Sequence, residues 1–381
     1  MEPIVIAGTG LAGYTVAREL RKLDKKRPVT LVTADDGRFY SKPNLSNGFA
    51  LGKDADALAM NDAQAMAAQL HATLHTHTRI EALEPERHRL VLTDRSLGYA
   101  RLVLALGADP IRLPLEGEAA GEVLSVNDLE DYARFRRRLA GRRRVVILGA
   151  GLIGCEFAND LAGAGYHVRV VDPAPRPLDR LAPPAAGAAL GRALEAIGVK
   201  WHLDTVAQRV EHGDGALAVH LADATCLDAD VVLSAVGLRP RVALARTAGL
   251  QVERGVVVDR YLATSAADVF ALGDCAEVEG RVLPFVMPIM HAARALARTL
   301  AGTPTPVRYP AMPIVVKTPA HPVAVAPPPA NAAGEWKVET TEDGVDARFL
   351  APDGSLLGFC LTGAATAGKQ ALTKALPPVL A

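Results

Sequence analysis

Ile4-Val5-Ile6-Ala7-Gly8-Thr9-Gly10-Leu11-Ala12-Gly13 and Arg144-Val145-Val146-Ile147-Leu148-Gly149-Ala150-Gly151-Leu152-Ile153-Gly154 are two copies of one design. In each, a short apolar strand runs into glycines at the first, third and sixth positions of a turn. A helix-forming stretch follows, Tyr14 to Lys22 in the first copy and through Leu161 in the second. The spacing has a mechanism. One glycine makes the tight turn, one lets the backbone approach a pyrophosphate, and one packs helix against strand. The helix N-terminus then offers free N–H groups and a partial positive charge to the phosphates. A single copy is weak evidence, because a bare strand–helix turn uses glycine too. Two complete copies, each in strand–turn–helix context, predict two dinucleotide sites on two Rossmann-type units of an α/β protein.

Beyond the second copy, the strand Val168-Arg169-Val170-Val171 ends on Asp172. An acid about 20 residues past the glycines takes ribose hydroxyls of NAD and repels a 2′-phosphate. NADH is therefore favoured over NADPH, although Arg176 a turn later keeps NADPH open. At the matching place in the first copy stands Thr33, followed by Ala34, with Asp35 and Asp36 just beyond. The adenosine end of that site is less defined.

Bulk properties narrow the field. The 381 residues suffice for two or three domains, and half are hydrophobic, which excludes a disordered chain. Lysine plus arginine and aspartate plus glutamate both count 42, a balance that argues against a nucleic-acid binder. Cys155, Cys226, Cys275 and Cys360 are scattered, with neither a C-x-x-C pair nor zinc-ribbon spacing, and fit a reducing cytosol. No basic leader precedes the first strand, and no apolar run of about 18 residues could span a bilayer. The expectation is a cytoplasmic protein without membrane insertion.

Further apolar strands close on similar glycine turns, Leu102 to Ala108 and Val231 to Gly237. Later, Val269-Phe270-Ala271-Leu272-Gly273-Asp274-Cys275-Ala276 sets a carboxylate directly after a strand and a glycine. Asp274 there can accept hydrogen bonds from a ribityl chain, or cap the segment that follows. Together these motifs resemble the pyridine nucleotide–disulfide oxidoreductase family. The resemblance covers residues 1 to about 300 and implies a glutathione reductase-like fold: an FAD domain interrupted by an NAD domain, then a small α+β C-terminal domain. The implied division is 1–106 and 241–310 for FAD, 107–240 for NAD, and 311–381 for the tail.

Branches of that family differ in what takes electrons from the flavin. Disulfide reductases carry a cysteine pair beside it, and peroxidase, oxidase and coenzyme A disulfide reductase branches carry one cysteine in a motif like L-S-C-G. The matching stretch here is Leu45-Ser46-Asn47-Gly48, and asparagine forms neither sulfenic acid nor mixed disulfide. What remains is the branch that delivers electrons directly to an iron–sulfur or rubredoxin carrier, whose members show Y-x-R-P-x-L-S-K. This chain reads Tyr40-Ser41-Lys42-Pro43-Asn44-Leu45-Ser46-Asn47, departing at Lys42 and Asn47. The stretch Leu148 to Leu161 and the tail stretch Met312 to Pro319 extend the resemblance to members from alkane-oxidising bacteria.

The resemblance implies hydride transfer from NADH to FAD, then single electrons to rubredoxin, a small acidic carrier, in an alkane hydroxylase-type system. It places Gly8, Gly10, Leu11, Ala12, Gly13, Thr33, Ala34 and Ile80 on FAD, with Lys42, Asp274, Val286 and Lys317 toward its flavin end. The helix after Phe285 would aim its N-terminus at the flavin. Gly149, Gly151, Gly154, Glu156 and Asp172 fall to NAD, with Glu156 between nicotinamide and flavin. No residue is needed as acid or base, and no metal is implied. Ferredoxin and flavorubredoxin are alternative acceptors, and a redox-sensing flavoprotein is a remote alternative.

Plainer readings stand beside these. Taken alone, Lys42 and Lys317 are surface lysines, Glu156 is a charge at a helix N-terminus, and Cys155, Cys275 and His291 are packing residues. Arg134 to Arg144 holds seven arginines, read as a solvated helix end or as an attractor for an acidic carrier. The proline-rich segment 320–330 reads as an irregular connection, and 335–339, 346–350 and 356–362 as strands of a small antiparallel sheet. No cysteine pair borrows residues from a second subunit, so a monomer is favoured.

Overall fold

The computed structural model describes residues 2–381 and is organised around two parallel sheets of the same design. The first runs in the order Thr73–His75, Val29–Val32, Ile4–Ala7, Arg101–Leu104, Val269–Ala271. The second runs Lys200–His202, His167–Val171, Arg144–Leu148, Val231–Ser234. In both, the strand that leads into the glycine turn lies inside the sheet, with neighbours on each edge. Ile4 to Ala7 and Val145 to Leu148 are buried throughout, as strands covered on both faces must be. A three-stranded antiparallel meander joins the third strand to the fourth in each unit: Ile80–Glu84, Arg89–Leu92 and Ser96–Gly98, then Ala207–His212, Leu217–Leu221 and Cys226–Ala229. The repeat glimpsed in the glycines thus extends to a whole unit.

The chain leaves and re-enters the first unit side by side. Ala108–Pro110 and Leu238–Pro240 pair antiparallel, with Ala108 opposite Pro240, and Arg241 Nε donates to Asp109 at 2.6 Å.

The tail sheet is larger than expected. Five antiparallel strands run in the order Ile314–Val316, Val323–Ala326, Leu356–Thr362, Gly344–Leu350, Glu335–Thr341. Reading 320–330 as irregular was wrong for Val323–Ala326, a fully buried strand paired on both edges. Pro322 and Pro327 flank this strand without entering it, so no ladder donor is lost. Val316, Val325, Val345 and Cys360 share one core with Leu45, Phe49, Phe157 and Leu161. That core presses tail, segment 42–50 and the helix Leu152–Gly163 together.

The arginine run is largely taken up by the protein itself. Arg134 pairs with Asp131, Arg138 with Glu122 and Arg144 with Asp230, while Arg136 lies over the Phe49 ring and donates to the Lys53 carbonyl. Arg142 and Arg143 donate to the Asp230 and Gly165 carbonyls. Among the described residues, only Arg137 of the seven has no such partner. Asp230 also accepts from the Arg143 and Arg144 amides, and the Arg144 guanidinium holds its carboxyl well below the usual range. A depressed carboxyl stabilises the fold above its unfolded value and stops doing so as pH falls through its folded one. Asp230→Asn is therefore expected to lower Tm at pH 7. The gap to wild type should close as pH drops below about 4, followed by calorimetry across pH.

No helix among the described residues is long and apolar enough to cross a membrane.

Candidate functional site

Both glycine turns divide their work in the same way. A Cβ on Gly8 (φ +116°) would sit 2.3 Å from the Ala105 carbonyl oxygen, and one on Gly13 would sit 1.9 Å from that of Gly8. In the second copy, a Cβ on Gly149 (φ +109°) would sit 2.8 Å from the Ala235 oxygen, and one on Gly154 would sit 1.9 Å from the Gly149 oxygen. These four are required by the protein's own backbone. Gly10 and Gly151 differ: a Cβ on either meets nothing within 4 Å. Each is also the cap of its helix, Leu11–Leu23 or Leu152–Gly163, without a side-chain cap bond. Open space before uncapped N–H groups is a cradle that fits a pyrophosphate at both turns.

Asp172 stands beside the second cradle. Ala150 N donates to its Oδ2 at 2.6 Å and Ala174 N to its Oδ1 at 2.8 Å, so the glycine turn itself aims the carboxylate. The first unit achieves a similar arrangement with different residues. Thr33, buried at the strand end, donates to Asp35 Oδ1 at 2.7 Å, and Thr9 inside the glycine turn donates to the same oxygen at 3.2 Å. Asp35 is thus the acid in contact with the first turn, offset by two positions from where spacing placed it. Ala34 is exposed beside it, and Ile80, half-buried at the start of the meander, packs on the first core.

A cleft of about 880 Å³ runs from the second cradle to the first unit, lined by Gly149 to Ile153, Asp172 to Arg176, Ser234 to Leu238, and Lys42, Leu45 and Ser46. Asn127 Oδ1, Thr205 Oγ1 and Ser234 Oγ border it as buried polar atoms without hydrogen-bond partners among the described residues. Buried groups of this kind are rarely left unpaired, so a polar ligand fits here. Arg176, which kept NADPH open, is engaged with Asp179 at 2.6 Å.

At the other end of the cleft three chain regions meet. Glu156, 1% exposed, accepts at Oε1 from Lys317 N (2.8 Å) and at Oε2 from Ser46 Oγ (2.5 Å). Lys317 Nζ lies 2.8 Å from Glu156 Oε2 and 3.1 Å from Ser46 Oγ, and donates to the Pro43 carbonyl. Spacing gave no hint that Ser46 belonged here. Lys42 Nζ is 3.9 Å from Asp274 Oδ2; burial pushes the lysine's pKa down while Asp274 opposes the shift. The turn Gly273–Cys275 that carries Asp274 packs on the first cradle, since a Cβ at Gly273 would come 2.9 Å from that of Ala12. The helix Val286–Leu300 begins nearby without a side-chain cap, its Ile289 against Gly273 and its Met290 against Thr15.

Thiol chemistry finds no seat in this arrangement. Burial pushes Cys275 up to about 11 and Cys360 up to about 12, and raises Cys155 further. Cys226 is exposed but lies on a meander strand of the second unit.

Comparison with known proteins agrees with this geometry. The family described as pyridine nucleotide-disulphide oxidoreductase matches residues 2–298, and that described as rubredoxin binding C-terminal domain matches residues 306–376. The rubredoxin-NAD(+) reductase of Alcanivorax borkumensis is 51% identical over 381 residues, 100% of both chains. That of Acinetobacter baylyi is 46% identical, over 100% of this chain and 99% of its own. Among solved structures, a ferredoxin reductase from Rhodopseudomonas palustris superposes with a TM-score of 0.89 at 26% identity, over 99% of this chain and 96% of that one.

Proposed function

The chain belongs to the pyridine nucleotide-disulphide oxidoreductase family, and on that premise we propose that it draws electrons from NADH and delivers them to a rubredoxin. The observation that carries this reading is the joining of two dinucleotide cradles to a tail, 306–376, that matches a rubredoxin-binding domain. FAD, when bound, supplies the conversion between the hydride of NADH and the single electrons a rubredoxin accepts.

The protein's own part is binding, orientation and charge. The Gly8–Gly13 turn, including Leu11 and Ala12, holds the FAD pyrophosphate on the helix Leu11–Leu23. Thr33, Ala34 and Asp35 take its adenosine end, with Ile80 alongside. Asp274 accepts from the ribityl hydroxyls, and Lys42 faces the same stretch. The uncapped helix at Val286 and the Lys317 ammonium stabilise negative charge at the flavin end. Gly149, Gly151 and Gly154 hold NADH on the second helix, Asp172 takes its ribose, and Glu156 anchors Lys317 where the two sites meet. The proposed division is 1–106 with 241–310, 107–240 and 311–381; the paired linkers Ala108–Pro110 and Leu238–Pro240 support its two inner boundaries. A cytoplasmic monomer serving an alkane hydroxylase-type system completes the proposal.

Anaerobic mixing tests it. NADH should bleach the flavin absorbance and oxidised rubredoxin should restore it; a bleached flavin that rubredoxin leaves unchanged rejects the acceptor. Ferredoxin and flavorubredoxin, run beside it and ranked by kcat/KM, identify the preferred carrier. The ribose assignment has its own test. Asp172→Asn keeps an acceptor for the Ala150 amide but removes the charge that repels a 2′-phosphate. NADH kcat/KM should fall about tenfold, the worth of one charge-assisted hydrogen bond, while NADPH improves. Steady-state assays with each nucleotide and an artificial acceptor read out the ratio.

A further inference from the structure

The helix Leu152–Gly163 starts at the NAD cradle, yet its middle is directed at the other two regions of the chain. Glu156, Asn159 and Asp160 occupy one face, at i, i+3 and i+4, and are 1%, 8% and 3% exposed. Polar groups so deeply buried need partners, and each finds them outside its own unit. Asp160 Oδ2 accepts from Phe49 N at 2.8 Å and its Oδ1 from Ala50 N at 2.9 Å. Asn159 Oδ1 accepts from Ala320 N at 3.1 Å. The loop that Asp160 grips is wedged as well as bonded, because Phe49 packs edge-on against Tyr132, Phe135 and Tyr166. Just before that loop, the turn Lys42–Asn47 carries Lys42 and Ser46 to the cleft. Just before Ala320 lies Lys317. The face of one helix therefore sets where both lysines stand relative to the NAD cradle.

We propose that Asp160, with Asn159 beside it, is a positioning residue for the hydride step, fixing the separation between the NADH cradle and the Lys42–Asn47 turn. The proposal rests on the NADH-dependent reductase reading above. Both side chains are engaged by backbone amides of other segments, so the part proposed for them is positioning. A carboxylate suits the place because two consecutive amides converge on it. An asparagine there turns an NH2 group toward one of them and loosens the loop. Hydride transfer is steep in distance, and a displacement near 1 Å costs up to about 100-fold. Electron delivery to a carrier does not pass through the NAD cradle and should be spared.

Asp160→Asn and Asn159→Ala, purified with FAD bound, are compared with wild type by three measurements. Hydrogen exchange without NADH should speed up at the Phe49 and Ala50 amides in the first variant and at Ala320 in the second. NADH-driven flavin reduction should slow by about tenfold or more, with NADH dissociation constants near wild type. The photochemically reduced Asp160 variant should pass electrons to rubredoxin at the wild-type rate, because its bonds hold residues 49–50 and not the tail. Unchanged hydride rates in both variants, or equal slowing of both half-reactions, would overturn the positioning role. A wild-type flavin that NADH fails to reduce would overturn the underlying reading, and the proposal with it. Asp160→Glu keeps the charge but cannot meet both amides at the same reach, so the role stays testable by the same measurements if Asp160→Asn does not fold.

Discussion

Valine at Gly151 should abolish tight NADH binding in a folded protein, whereas alanine at Gly154, three residues on, should undo the fold. Gly151 has φ −74° and ψ −171°, extended backbone open to any residue, and its Cβ would project into empty space. Stability should change by only about 1 kcal/mol, the scale of exchanging glycine for a poorer cap residue. The side chain would instead occupy the cradle before the uncapped helix. Two charge-assisted hydrogen bonds lost there, at about 1.5 kcal/mol or more each, weaken NADH at least ~100-fold. At Gly154 the added carbon meets backbone, 1.9 Å from the Gly149 oxygen and 2.9 Å from its carbonyl carbon. No rotamer relieves a contact with main chain, so the strand–helix junction must part. A loss above about 4 kcal/mol is expected, a large share of the 5–15 available to a domain. Urea titration followed by circular dichroism, and calorimetric titration with NADH, separate the two outcomes. Wild-type affinity in the Gly151 variant would show that the cradle faces no ligand.

These glycines were legible because their constraint is local: residues one and six of the turn would collide with each other or with the strand alongside, and residue three must leave the space before the helix open. The acid at Asp172 was legible for the same reason, since it returns to the turn that precedes it. Asp35 was half-visible, displaced by two positions, because Thr33 reaches it by a side-chain bond that spacing does not encode. Val323–Ala326 was hidden by its flanking prolines, which mark strand ends as readily as loops. Asp160 and Asn159 left no sequence signal. Their partners are backbone amides more than 100 residues away, and any residue at positions 49, 50 or 320 other than proline supplies the same donor. The arginine run was legible as a charged stretch, but its partners Glu122, Asp131 and Asp230 were not.

The second large effect concerns the ion pair where the three regions meet, and it should be lopsided. Lys317→Met removes the only cation within salt-bridge distance of Glu156 among the described residues, leaving a carboxylate that is 1% exposed. Ser46 Oγ and Lys317 N still donate to it, but neither offsets the charge. Breaking a buried pair from this side is expected to cost about 3–5 kcal/mol. Glu156→Gln leaves the other partner, and that ammonium has an exit: its side chain is 31% exposed and already donates to the Pro43 carbonyl. Glutamine also retains an acceptor for Lys317 N. The expected loss is smaller, about 1–2 kcal/mol. Glu156→Leu combined with Lys317→Met removes both charges and should be more stable than Lys317→Met alone, because no buried charge is left without a partner. Denaturant unfolding of these variants at neutral pH measures the order. Equal losses in the two single variants would mean that water reaches Glu156, and that the pair contributes to charge placement in the cleft without holding the three regions together.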